Sequence, residues 1–310
     1  MVSFSLGEAE RMNYPDLDWL VRQAAFRFVE QLAEQHNGVV PWGALVNDFN
    51  FQGQRVVLIG ASGIWKPAQL ELPISIQTSP SDPYSDSPGP DGLLHYRYQG
   101  TDPSNRWNVG LREVMNLGRP LLYFRAVEKG WYTPLWPLVI VGDNPSALTF
   151  TMACEDVDAL VPGIAPVVAD EARRKYVTRL AVVRLHQAGF RKRVLSAYRN
   201  QCSICRLKHV ELLDAAHIIP DKKEHGDPVV SNGLSLCKIH HAAFDTNILG
   251  IRPDLRVEIR SEILLEVDGP MLKHGLQELH GSRLIIPKKK EEQPNSERLE
   301  ERYEAFKAAS

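Results

Sequence analysis

Apolar residues recur at helical spacing through LDWLVRQAAFRFVEQLAEQH (17–36) and the run stops before Asn37-Gly38. This predicts an opening amphipathic helix ended by glycine. Beyond it the period changes. Short apolar runs, VVLIG (56–60), LPISI (72–76), LLHYRY (93–98), PLLYFRAV (120–127) and PLVIV (137–141), alternate with clusters of Gly, Pro, Asp and Ser, the pattern of strands in a β-rich domain. NVGLREVMNL (108–117) has the spacing of a short helix. TSPSDPYSDSPGPDG (78–92) is too rich in Pro, Ser and Asp to be core and reads as a long exposed loop of the kind that often serves function. Periodicity lapses through VDALVPGIAP (157–166), and a helical pattern then runs from 170 to 199. The expected organisation is an N-terminal domain over 1–155, a linker over 156–169 and a second domain over 170–310, α+β in class. The final KKKEEQPNSERLEERYEAFKAAS has mixed charge and few apolar positions, which predicts a terminal helix with frayed ends.

The length of 310 residues suits two domains, since domains cluster near ~100–150 residues. No apolar run approaches the ~20 residues that cross a bilayer, and the acidic N-terminus lacks the basic start of a signal peptide. Three of the four cysteines fall in one pattern and Cys154 stands alone, which suits a reducing compartment. A cytoplasmic protein is expected. The net charge of −2 hides a basic block. From Arg173 to Val210 there are many Lys and Arg and no Asp or Glu, whereas a solvated helix face usually mixes both signs. Arg184, Arg191, Lys192 and Arg193 are therefore expected to meet a nucleic-acid backbone.

The chemistry lies beyond that block. Cys202, Cys205, Cys237 and His240 are spaced C-x2-C and C-x2-H, as for a structural zinc ion bound by soft ligands from two tight turns. The next residue, His241, is left over. It lies four residues before Asp245, so on a helix both face one divalent ion. DAAHIIP (214–220) reads as a first strand, NGLSLC (232–237) as a turn and second strand, and KIHHAAFD (238–245) as a helix. The H-x-E and H-E-x-x-H signatures of zinc deaminases and zincins are absent.

Taken in order, His217, Asn232 and His241 resemble the H…N…H motif of HNH nucleases, over roughly residues 196–252. The resemblance implies a ββα-metal nuclease domain with His217 as general base, Asn232 holding the loop that orients it, and His241 with Asp245 binding catalytic Mg²⁺ or Mn²⁺. Many HNH enzymes place a further ligand just before the base; here that residue is Ala216, so either Asp214 contributes or the ion has two protein ligands. Residues 91–141 resemble an SRA-type reader of the PUA-like β-barrel group, through Asp91-Gly92, LHYRYQG (94–100), Asn108, Leu111, Gly118-Arg119-Pro120, Tyr132 and LWPLVIV (135–141). SRA domains flip a modified cytosine and hold it between aromatic rings, and Trp65, Tyr84, Asp86 and Tyr96 are the candidates for that pocket. Together the two resemblances imply a modification-dependent (type IV) restriction endonuclease with structural zinc. It would act on double-stranded DNA carrying 5-methyl-, 5-hydroxymethyl- or N4-methylcytosine, as a homodimer if both strands are cut. An HNH nuclease or nickase indifferent to modification, and a zinc-dependent DNA-binding regulator, are the alternatives.

Overall fold

In the computed structural model, which describes residues 16–78, 89, 91–155 and 171–309, the opening helix spans Leu17–Gln35. Asp16 caps it by accepting from the Trp19 amide at 2.9 Å, and Gly38 ends it in the left-handed region at φ 86°, where glycine carries no Cβ penalty. Its buried stripe includes a fully buried arginine, Arg22. That guanidinium donates to Asp18 Oδ1 at 2.5 Å and to the carbonyls of Pro73 and Pro120 at 2.8 Å each. One side chain thus ties the helix to two distant segments, and every polar atom in the network has a partner, which is what makes a buried charge tolerable.

The chain divides into two units, Met1–Gly189 and Phe190–Ser310. The first is built on a seven-stranded sheet. Its path runs Ile64–Trp65, Ser75–Thr78, Leu121–Glu128, Trp131–Asn144, Thr149–Cys154 and Leu94–Arg97, with Val40–Pro41 pairing beside the start of the longest strand. Ser75–Thr78 and Leu121–Glu128 run parallel; the other pairs are antiparallel. Register shifts at Leu121/Tyr123, Ala126/Glu128 and Ile140/Gly142 mark irregularities that bend the strands. Among the described residues the path is open at both edges. Alternation along Leu121–Phe124 sorts side chains onto two cores: Leu121 and Tyr123 join one, Leu122 and Phe124 the one that holds the opening helix.

Strands expected at 93–98, 120–127 and 137–141 are found at Leu94–Arg97, Leu121–Glu128 and within Trp131–Asn144. The run 56–60 joins no ladder. Its polar groups are met singly instead: the Leu58 amide donates to Leu45 O, Ser75 Oγ to Leu58 O, and the Trp65 indole to Val57 O, which satisfies a buried backbone as well as a sheet does. Most of the expected loop 78–92 and all of the expected linker 156–169 lie outside the described residues.

A long helix, Glu171–Ala197, supplies Val182 and Leu185 to a core of the first unit and Phe190, Val194 and Leu195 to the core of the second. In the second unit, strand Leu213–His217 pairs antiparallel with Gly233–Cys237 and leads into helix Lys238–Asp245. A hairpin, Leu249–Ile251 with Val257–Ile259, follows. The terminal helix Ser296–Ala308 is docked and not frayed: Leu299 and Phe306 are buried. Its two apolar anchors lie seven residues apart, so a low apolar count still makes a stripe. Among the described residues no helix is long and apolar enough to cross a membrane.

Replacing Arg22 with methionine, which keeps the bulk but strands the Pro73 and Pro120 carbonyls and Asp18, should cost about 3–5 kcal/mol. Denaturant unfolding followed by tryptophan fluorescence measures this. A loss below about 1 kcal/mol, the worth of one ordinary hydrogen bond, would contradict it.

Candidate active site

The ligand atoms of Cys202, Cys205, Cys237 and His240 all lie within 4.8 Å of one another. Cys202 and Cys205 stand on a turn closed by the Cys202 amide donating to Leu207 O at 2.9 Å and the Arg206 amide to Cys202 O at 3.0 Å. Cys237 is the N-cap of helix Lys238–Asp245, and His240 stands in its first turn. His240 Nδ1 is 3.4 Å from Cys202 Sγ and 3.2 Å from Cys237 Sγ, and the Cys205 and Cys237 sulfurs are 4.0 Å apart. A tetrahedral Zn²⁺ with three thiolates and one imidazole would set edges of about 3.6–3.8 Å. His240 Nε2 is 2.8 Å from the Gly275 carbonyl, the outer bond that fixes the ring of a metal-ligating histidine. Hydrogen bonding with Cys202 pushes the Cys205 thiol up, as the donor, and the Cys237 thiol down, as the acceptor, because groups this crowded cannot all keep their usual protons. The donor set suits zinc.

The neighbouring residue faces elsewhere. His241 Nδ1 is 3.5 Å from Asp214 Oδ2, and its Nε2 is 3.4 Å from Asp245 Oδ2. The hydrogen bond to Asp214 raises the His241 pKa above its ordinary value, against burial, and the same contact holds the Asp214 carboxyl below its usual range. Asp214 and Asp245 thus address opposite ring nitrogens. One carboxylate can fix the tautomer while the other shares an ion at Nε2, an arrangement common among metal-bound histidines.

His217 ends its strand paired with Gly233. Its ring stacks on Phe190 at 4.0 Å between centroids and 15° between planes. A Cβ on Gly233 would come within 2.4 Å of Val194 Cγ2 and 2.9 Å of Phe190 Cζ, so the glycine lets the long helix close on the strand. Burial lowers the His217 pKa, reinforced by His241 and opposed by Asp221 and Asp245. The imidazole is therefore neutral at physiological pH, and its Nε2 is buried with no partner among the described residues. A nitrogen left in that state in a polar site is available to a transient partner. Asn232 is fully buried. Its Oδ1 accepts from the Ile219 amide at 2.9 Å, and its Nδ2 donates to Ile219 O at 2.9 Å and Asp227 O at 3.1 Å. It pins both ends of the loop that leaves His217.

The basic residues divide. Arg191 donates to Val210 O and Leu213 O at 3.0 and 2.9 Å and lies 3.6 Å from Asp214, so it braces the strand beneath the site. Arg193 donates to Pro228 O at 2.9 Å. Arg184 is exposed and Lys192 half-buried. In the first unit, Tyr96 lines a small pocket of about 10 Å³ with Ile76, Leu94, His95, Tyr123, Leu138 and Met152, and its hydroxyl donates to Gly63 O at 2.8 Å. Trp65 packs instead on the core that holds the opening helix, so the sheet separates these two rings. Tyr84 and Asp86 lie outside the described residues. The sequence carried no mark of Phe190 or of the bracing role of Arg191: an apolar or basic residue on a basic helix does not advertise the strand that it faces.

Exchanging Cys202 or Cys237 for serine should remove the metal ion and unfold the second unit, since structural zinc supplies folding free energy directly; metal content and calorimetry check this. Gly233→Ala should cost about 1–3 kcal/mol by overpacking Phe190 and Val194, and a variant as stable as the parent would refute that contact.

Residues 202–252 match the family model described as HNH endonuclease. The search of curated proteins gave no match. Among solved structures the chain is similar to the modification-dependent restriction endonuclease TagI, with 18% identity over 78% of this chain and 84% of that one, at a TM-score of 0.28. It is similar also to the Type IV phosphorothioation-dependent restriction endonuclease ScoMcrA, with 19% identity over 58% of this chain and 51% of that one, at a TM-score of 0.22; the chain thus spans about half the length of the latter. The match to the HNH endonuclease family thus lies wholly within the second unit, at residues 202–252.

Proposed function

We propose that the chain is a modification-dependent DNA endonuclease in which residues 1–155 read a modified cytosine in duplex DNA, 156–169 link, and 170–310 hydrolyse the phosphodiester. The observation that carries the nuclease half is the division between two imidazoles: His217, half-buried, neutral and with a buried, unpartnered Nε2, and His241, held between two carboxylates. A neutral imidazole takes a proton from water as its oxygen attacks phosphorus and the P–O bond to the leaving strand breaks. Asn232 and Phe190 keep that ring in place. His241 Nε2 and Asp245 would hold a divalent ion such as Mg²⁺ or Mn²⁺, with Asp214 fixing the His241 ring from Nδ1. Such an ion, when bound, neutralises charge on the phosphate oxygens. Zinc at Cys202, Cys205, Cys237 and His240 holds the scaffold.

The reader half is supported by the β-rich first unit, on which the rings of Tyr96 and Tyr123 stand near His95; a flipped base is held by stacking on aromatic faces, and the small pocket between these residues would have to widen to admit one. Trp65, Tyr84 and Asp86 remain the other candidates from the sequence. Among the candidate backbone contacts Arg184, Arg191, Lys192 and Arg193, Arg184 is exposed and is the one tested first. A double-strand cut by one HNH site per chain calls for a homodimer.

Cleavage of matched plasmids bearing no modification, 5-methylcytosine, 5-hydroxymethylcytosine, N4-methylcytosine or backbone phosphorothioate tests the reading. Cutting confined to a cytosine-modified substrate is the expected result. Equal cutting of all would establish a nuclease indifferent to modification, and cutting only of the phosphorothioate would move recognition from base to backbone. His217→Ala should lower the single-turnover rate by about 10²–10⁴-fold with DNA affinity nearly unchanged; equal loss of both in a folded protein would favour a zinc-dependent DNA-binding regulator. Because burial lowers the His217 pKa, the base stays neutral to lower pH than a free imidazole. The acid limb of the rate profile should accordingly lie below about 6.5, and a limb above that value would remove His217 as the base.

A further inference from the structure

The match to the nuclease family ends at residue 252, yet the terminal helix Ser296–Ala308 reaches both ends of the site. At its start the Asn295 amide donates to Ser231 O at 3.0 Å, and Arg298 Nη2 to Asp227 Oδ2 at 3.2 Å; Asp227 is the residue whose carbonyl Asn232 holds. Farther along, Phe306 sits against Gly250, where a Cβ would come within 2.6 Å of its ring. Between these anchors stands Arg302. Its Nη1 donates to Asn247 Oδ1 at 2.6 Å, its Nη2 donates to the Phe244 carbonyl, and its guanidinium lies 4.4 Å over the Phe244 ring.

These contacts surround one residue. Helix Lys238–Asp245 is eight residues long and ends on Asp245, so the carbonyls of its last turn lack intrahelical donors. The Ala242 carbonyl is met by Thr246, through its amide and its Oγ1. The Phe244 carbonyl accepts from the Asn247 amide at 3.2 Å and from Arg302. Arg302 thereby holds the backbone on one side of Asp245 and the Asn247 side chain on the other, and places a positive charge where the helix dipole favours one. Burial lowers the Arg302 pKa, and the Asp245 carboxylate opposes that shift, so the two charges sense each other.

We propose that Arg302 positions Asp245 for divalent-metal binding, so that the terminal helix is a working part of the nuclease site although it lies outside the HNH motif. The proposal rests on the reading that His241 and Asp245 hold the catalytic ion. Arg302 touches no reacting atom and acts through the turn that it fixes.

Manganese binding to the full-length chain, followed by the electron paramagnetic resonance of free Mn²⁺, tests this apart from activity. Arg302→Met is expected to weaken Mn²⁺ binding by about 10–100-fold while zinc content and unfolding temperature stay near those of the parent. Arg302→Lys keeps the charge but cannot span both Phe244 O and Asn247 Oδ1, and should weaken binding less. Should Arg302→Met lose zinc or fail to fold, the lysine variant and Asn247→Ala decide by the same criterion. Parental Mn²⁺ affinity in the folded variants overturns the proposal while leaving the metal site intact. If His241→Ala binds Mn²⁺ as tightly as the parent, the metal-site reading itself falls, and the role of Arg302 with it.

Discussion

The second unit depends on the convergence of Cys202, Cys205, Cys237 and His240 within 4.8 Å. Two turns far apart in sequence must meet there, and the meeting sets strand Gly233–Cys237 and helix Lys238–Asp245 against each other. His240 turns its Nδ1 to the sulfurs and its Nε2 to Gly275. The next residue on a helix is rotated by about 100°, which carries His241 away from the cluster and toward Asp214 and Asp245. A scaffold metal site and a candidate catalytic one can therefore adjoin in sequence without sharing a ligand.

The surroundings then separate the two histidines of the site by charge. His217 lies against an aromatic ring, and burial favours its neutral form. His241 lies between carboxylates that favour its charged form or, equally, a cation beside it. Titratable groups whose environments push their pKa values apart are the usual sign of a division between acid–base and electrostatic tasks. Asn232 and Gly233 follow from the same demand, one pinning the loop that leaves His217 and the other giving Phe190 room to stack.

Much of the nuclease unit was legible because its constraints are local: ligand spacing, the i,i+4 pair His241 and Asp245, and the strand, turn and helix of 213–245. Contacts made across long sequence separations were not. Phe190 beneath His217, Arg191 on the Val210 and Leu213 carbonyls, and Arg302 on Phe244 join residues 19 to 58 positions apart, and no periodicity encodes such pairs. In the first unit the alternation of apolar residues located three strands but not the partners of 56–60, whose backbone is satisfied by single bonds, nor the buried Arg22, which a reading by polarity assigns to solvent. Aromatic residues were the weakest guide. Trp65 and Tyr96 looked alike as candidates, yet the alternation of the sheet sends them to different cores.

Anomalous scattering from manganese-soaked crystals, recorded at the zinc and manganese absorption edges, tests the division between His240 and His241 most directly. The account predicts a zinc peak enclosed by Cys202, Cys205, Cys237 and His240 and a separate manganese peak between His241 Nε2 and the Asp245 carboxylate. A zinc peak ligated by His241, or manganese bound away from both His241 and Asp245, would contradict it.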